Sequence, residues 1–194
     1  MKNKSQSHDL GSVSGLDNAS GKVRSPAVAG MFYPGSAGEL RRAIDDYMNQ
    51  ATPPALEKIY AVIVPHAGHV YSGPIASFAY KILENQEFSP KRVILMGPAH
   101  RFPFSGVALG DYAAFRTPLG EIPVDQAFVR TLMQSASLFS SAPQAHVGEH
   151  CIEVQLPFLQ MVYDDISMVP MLFGSVDPLH VADALSSQLT SDDL

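Results

Sequence analysis

The chain holds 194 residues, 46% of them hydrophobic and 16% charged, a balance that suits one globular domain of the usual ~100–200 residues with a real core. Against 19 Asp and Glu stand 13 Lys and Arg, a net charge of −6, and the basic residues are scattered, so nucleic acid is excluded as a partner. A single cysteine, Cys151, excludes an internal disulfide and fits a reducing compartment, and no apolar run approaches the ~20 residues of a membrane span.

Residues 1–21 are rich in Ser, Asn, Gly and Asp and lack the apolar stretch of a secretory signal, so they read as a disordered polar leader. The expected domain covers residues 22–194, and the cytoplasm is the expected compartment. Ser36 with Glu39 makes a capping-box pattern, and Leu40, Ala43, Ile44, Tyr47 and Met48 then recur on one helical face, up to the break at Pro53-Pro54. Ile59–Val64 is β-branched and apolar throughout, as in a strand covered on both faces. After a turn-rich stretch, Pro74 suits the first position of a helix whose buried side would carry Ile75, Phe78, Ala79, Ile82 and Leu83. Arg92–Met96 is a second buried strand, so residues 59–96 have the length of a right-handed βαβ unit.

Further on, Gly106–Leu109 predicts a short strand, and Asp125 a helix cap ahead of Phe128, Val129, Leu132 and Met133. Pro157 within the helical pattern of Ile152–Tyr163 predicts a kink or a late start. Ser167–Phe173 is a third strand, in which Pro170 predicts an edge position or a bulge. Asp177-Pro178 opens a last helix with Leu179, Ala182, Leu185 and Leu189 along its core side. The sum is a three-layer α/β/α domain with a mostly parallel or mixed sheet.

His66 and His100 stand just past the first two buried strands, where open α/β sheets gather their sites. If those strands are neighbours, both imidazoles project from one edge and can share a metal ion. Glu149 and His150 could add a further ligand or a general acid/base. From the residues alone, Glu149 favouring a helix N-terminus and His150 packing is the simpler reading. His69, in the same loop as His66, could stand behind a metal ligand, but an exposed loop position is the simpler reading, and His146 and His180 have no supporting context. Cys151 is unpromising as a nucleophile, because its neighbour His150 points about 100° away on a helix. The glycine-rich stretches match neither a Walker A nor a dinucleotide fingerprint, so no nucleotide is implied.

Five stretches carry a resemblance: Ala27–Pro34 (AVAGMFYP), Val64–Gly73 (VPHAGHVYSG), Leu95–His100 (LMGPAH), Phe115–Leu119 (FRTPL) and Glu149–Leu159 (EHCIEVQLPFL). In this order they resemble the Memo family, known in bacteria and archaea as AmmeMemoRadiSam system protein B. The resemblance implies a fold similar to class III non-haem iron extradiol dioxygenases of the LigB type. It also implies His66 and His100 as metal ligands, and Glu149 and His150 at the pocket. Fe(II), Cu or Zn are the implied ions, and the fold likeness does not transfer the dioxygenase reaction. The family pattern continues with a further stretch holding a Ser-Ser-Asp…His motif and a Cys that completes the metal site. The likeness covers the N-terminal two-thirds or so of that pattern, which implies an incomplete site and a domain expected to self-associate or to be poorly stable alone.

Three functions follow as expectations. The first is metal binding with redox or oxygenase-like chemistry. The second is a non-catalytic module holding a small molecule or peptide in the same crevice. The third is a metal-dependent hydrolase with Glu149 as its base.

Overall fold

The first helix forms where its capping pattern places it. In the computed structural model, which describes residues 21–87 and 89–189, helix α1 spans Ala37–Gln50 and buries Leu40, Ile44 and Met48. The Ser36 hydroxyl accepts from the Glu39 N–H, which satisfies one of the amides left bare at a helix start. The expected polar leader lies outside the described residues apart from Gly21.

Residues 59–64 correct the sequence reading. They join no ladder, the chain bends at Tyr60, and Ile63 is fully exposed. The strand that was to pair with them, β2 (Arg92–Pro98), pairs instead in parallel with β7 (Ser167–Phe173). The βαβ ladder is therefore not formed within the described residues.

The intervening helix also differs. Helix α2 begins at His69 and runs to Glu84, with Pro74 inside it. The bond that Pro74 cannot make falls on a turn where Val70 and Tyr71 face solvent, so water can replace it. Its buried side is Ser72, Gly73, Ala76, Ser77, Tyr80 and Leu83, while Ile75 and Phe78 point outward. Both sides of this helix are apolar, and close packing decides between them. Gly73 lies against the Tyr47 ring of α1, where a Cβ would come within 2.6 Å. Tyr80 stacks on Phe158 of α5 (Leu156–Val162), the ring centroids 4.8 Å apart.

The sheets are two. A mixed four-stranded sheet has the order β2-β7-β3-β6, with β3 at Val107–Leu109 and β6 at Phe139–Ser141. A three-stranded sheet has the order β1-β4-β5, built on β1 (Val23–Arg24) and the hairpin β4 (Ala114–Thr117) and β5 (Gly120–Pro123). The chain is thus α/β with helices layered on a mixed sheet: α1, α2 and α5 pack together, and α3 (Gln126–Ser135) contacts β6 and β7. Asp125 caps α3 by accepting from the Phe128 N–H. Pro170, expected at an edge or a bulge, sits in the interior strand β7. The β3 ladder reaches only to Met171, so Pro170 carries one ladder and abuts Gly110 rather than a second strand. The late start of α5 after a 3-10 turn at Glu153–Gln155 is as Pro157 predicts. The last helix, α6 (Pro178–Ser186), buries Val181 and Leu185, while Leu179, Ala182 and Leu189 are exposed. Leu185 thus keeps its expected place, while Val181 is buried where Leu179 and Ala182 were expected.

Candidate metal centre

His66 follows the unpaired stretch 59–65, and His100 stands two residues past β2. His150 lies in the turn that precedes the 3-10 helix. The fold brings these three rings together. Centroids of His66 and His100 are 5.3 Å apart, those of His100 and His150 4.7 Å, and those of His66 and His150 6.0 Å. One donor nitrogen from each ring lies within 4.8 Å of the other two. Small side-chain adjustments reach the spacing that metal–nitrogen bonds of ~2.0–2.1 Å require.

Glu149 organises the cluster from behind. Its carboxylate is buried and accepts the His100 backbone N–H at 2.7 Å and the His100 Nδ1–H at 2.9 Å. It also accepts the backbone N–H groups of His150 at 2.8 Å and Cys151 at 3.1 Å. Burial alone would raise its pKa, but these donors prevail and hold it at about 2. Since the carboxylate only accepts, His100 Nδ1 carries the proton and Nε2 keeps its lone pair for an ion.

Burial lowers the pKa of His66 and of His150, and their neighbouring rings lower it further. Both are therefore neutral near pH 7, the state a metal ligand needs. His150 Nδ1 is buried without a hydrogen-bond partner, although Glu149 Oε1 stands 3.2 Å away out of line. His100, Glu149 and Cys151 also approach one another closely, but their chemistry fits an ion poorly. The Cys151 thiol donates to the Pro98 carbonyl, and burial followed by the Glu149 charge pushes its pKa far up. The oxygens of Glu149 are already taken by N–H donors.

Three further residues, Arg24, Tyr33 and Glu153, support the centre without having been singled out in the sequence, and His69 joins them. The Arg24 guanidinium donates to the carbonyls of His146 and Glu149 at 3.0 and 2.6 Å, gripping the turn that carries Glu149 from both ends. Its third arm pairs with Glu153 at 2.7 Å. Glu153 in turn accepts from the amides of Ala27 and Val28 and from the Tyr33 hydroxyl. His69, expected exposed, is 1% accessible and donates Nε2–H to the Val154 carbonyl. A carboxylate four residues past Glu149 was the only sequence hint of this network. His146 is buried against Ala108 O, and His180 is exposed; neither joins the cluster.

Beside the histidines opens a groove of about 1350 Å³, with residues 60–67 along one wall and residues 93–98 along the other.

Compared with known proteins, residues 24–192 match the family described as Memo-like protein. MEMO1 family protein MK0963 of Methanopyrus kandleri is 39% identical over 163 residues, covering 79% of this chain and 57% of the relative. A MEMO1 family protein of Methanobrevibacter smithii is 40% identical with the same coverage of each chain. One from Thermotoga sp. is 36% identical over 177 residues, covering 86% of this chain and 63% of the relative. The chain thus spans under two-thirds of the length of these relatives.

Proposed function

Because the chain belongs to the Memo family, we propose that it is a metal-binding protein whose ion, Fe(II), Cu or Zn, is held by His66, His100 and His150. Glu149 orients His100 from the second layer. The observation that carries this reading is the convergence of three ring nitrogens within 4.8 Å, one of them aimed by a buried carboxylate. Three protein ligands are the usual number where an ion keeps a position open for water or substrate, whereas purely structural sites use four. An ion so bound supplies a Lewis-acidic or redox-active centre, and an all-imidazole set suits each of the three metals named.

Redox or oxygenase-like chemistry is favoured over hydrolysis by the state of Glu149. A hydrolase needs a base near neutral pH, and this carboxylate, with a pKa of about 2 and four donors on it, is a poor one. A reducing, cytoplasmic setting belongs to the same reading; among the described residues no helix is long and apolar enough to cross a membrane.

Titration calorimetry with Fe(II), Cu and Zn tests the proposal. At least one ion binds the intact chain with a single site, and His66→Ala or His100→Ala removes most of that binding. His66→Ala keeps its unfolding free energy within about 0.5 kcal/mol, whereas His100→Ala also removes a donor from the buried Glu149 carboxylate and costs roughly 1–3 kcal/mol. Undiminished affinity in both variants overturns the assignment.

A further inference from the structure

Charge at the three-histidine cluster is not balanced by the chain. Imidazole ligands are neutral, so they leave the whole charge of a divalent ion standing. The carboxylate behind them, Glu149, is already taken by four N–H donors. A second positive charge lies beside the cluster. Arg101 follows His100 directly, and its side chain runs over the turn that carries Glu149 and His150. Its Cδ and Nη1 lie 3.8 and 3.9 Å from where a Cβ on Gly148 would stand. Gly148 holds φ at +72°, which L side chains rarely adopt, so the turn has no side chain there and the guanidinium covers it. Arg24, Arg92 and Arg116 each meet a carboxylate, at 2.7, 2.9 and 2.7 Å. Arg101 is exposed and, among the described residues, makes neither a hydrogen bond nor an ion pair. Its charge still reaches the site: after burial, and with His100 and His66, it is one of the smaller influences that lower the His150 pKa. An unpaired guanidinium next to a cation repels it, and an anion between the two removes that repulsion.

We propose that Arg101 selects the ligand of this centre: its guanidinium pairs with the carboxylate of a small organic acid bound at the position that the three histidines leave open on the ion. The inference rests on the metal reading of the same cluster and adds a substrate class to it. A carboxylate fits better than a phosphate. The planar fork of one guanidinium offers two parallel N–H donors, which a single carboxylate satisfies. A phosphate calls for further donors, and the nearby amides of His100, His150 and Cys151 already point at Glu149. The body of the acid is small and apolar, because the chain neighbours of Arg101 and Gly148 are Phe102 and Val147, whose side chains are apolar and exposed.

The test uses the intact chain loaded with zinc, with butyrate as the anionic probe and butyramide as its uncharged counterpart of the same shape. Calorimetry first compares zinc binding by the chain and by its Arg101→Gln and Arg101→Lys variants. All three are expected to bind zinc alike, since Arg101 is exposed, unpaired and not a ligand of the ion. Butyrate is then expected to bind the loaded chain at least tenfold more tightly than butyramide does. That affinity is expected to fall at least tenfold in Arg101→Gln and by less in Arg101→Lys, which keeps the charge and loses the fork. Butyrate should also shift the Arg101 Nε–H resonance, assigned by its absence from both variants. Equal butyrate affinity in the chain and in Arg101→Gln, or butyramide binding as tightly as butyrate, overturns the proposal and leaves the metal reading standing. A chain that binds none of zinc, Fe(II) and Cu overturns the metal reading instead. Butyrate is then titrated onto the metal-free chain, where a shifted Arg101 resonance upholds the carboxylate assignment and an unmoved one overturns it as well.

Discussion

Arg24 touches none of the three histidines, yet its fork holds both ends of the turn bearing Glu149. The pair it makes with Glu153 is buried, with side-chain exposures of 6% and 0%. Removing one partner of such a pair strands the other charge and costs roughly 3–5 kcal/mol. Arg24→Met is therefore expected to lower stability by that amount in urea unfolding, and Arg24→Lys by less, because it keeps the charge and loses the fork. Glu149→Gln acts more narrowly. It is expected to weaken metal binding ~10–100-fold, as changes to a ligand's hydrogen-bonding carboxylate commonly do, with the His100 tautomer shift visible by nitrogen NMR. At this scale the sequence was informative about one thing: histidines placed just after apolar runs do meet, as the 5.3 Å between His66 and His100 shows. It was silent on Arg24, because an ion pair separated by 129 residues leaves no local pattern. It misled on His69, since helix onset at that residue turned a loop position inward.

Helix α2 shows where periodicity stops being enough. Its sequence offers two apolar sides, and the one chosen is set by Gly73 under the Tyr47 ring and by Tyr80 against Phe158. Neither contact can be read from spacing within the helix. Capping chemistry, by contrast, is local, and Ser36 and Asp125 both cap where the sequence places them. The hairpin β4–β5 and the short strand β6 went unpredicted because runs of three or four residues carry little alternation to detect. Tyr80 also reaches toward the site: its hydroxyl donates to Gln155 Oε1, and the Gln155 amide donates to the Pro65 carbonyl next to His66. Tyr80→Phe leaves a buried amide oxygen unpaired. It should cost about 1–3 kcal/mol in thermal or urea unfolding while leaving helix content unchanged by circular dichroism. A loss below a few tenths of a kcal/mol would mean that water replaces the hydroxyl.

For the whole molecule, acid is the natural stress. Four histidines, His66, His69, His146 and His150, have pKa values lowered from the ordinary 6.5, burial being the first cause in each. A lowered histidine pKa means the unfolded chain takes up protons first, so stability falls as the pH drops below about 6.5. For His146 the loss continues to about pH 4. Glu149 adds to it lower down. Its pKa falls from 4.5 to about 2 on folding, so its contribution is present above about pH 4.5 and lost toward pH 2. Melting temperature measured from pH 7.5 downward should therefore begin to decline near pH 6.5, and a flat profile to pH 5 would contradict this account. At this scale the α/β class was legible from the apolar runs at Arg92–Met96 and Ser167–Phe173, while the sheet was left as mostly parallel or mixed. The pairing was not: Ile59–Val64 has the composition of a buried strand, but a ladder needs a neighbour, and the neighbour is not set by the segment's own residues.

X-ray absorption at the metal edge of the loaded chain, beside its His150→Ala variant, tests the central assignment most directly. The arrangement of His66, His100 and His150 predicts three imidazole scatterers at about 2.0–2.1 Å, falling to two in the variant. A sulfur scatterer at about 2.3 Å, which would bring Cys151 into the site, or an imidazole count unchanged by loss of His150, would contradict it.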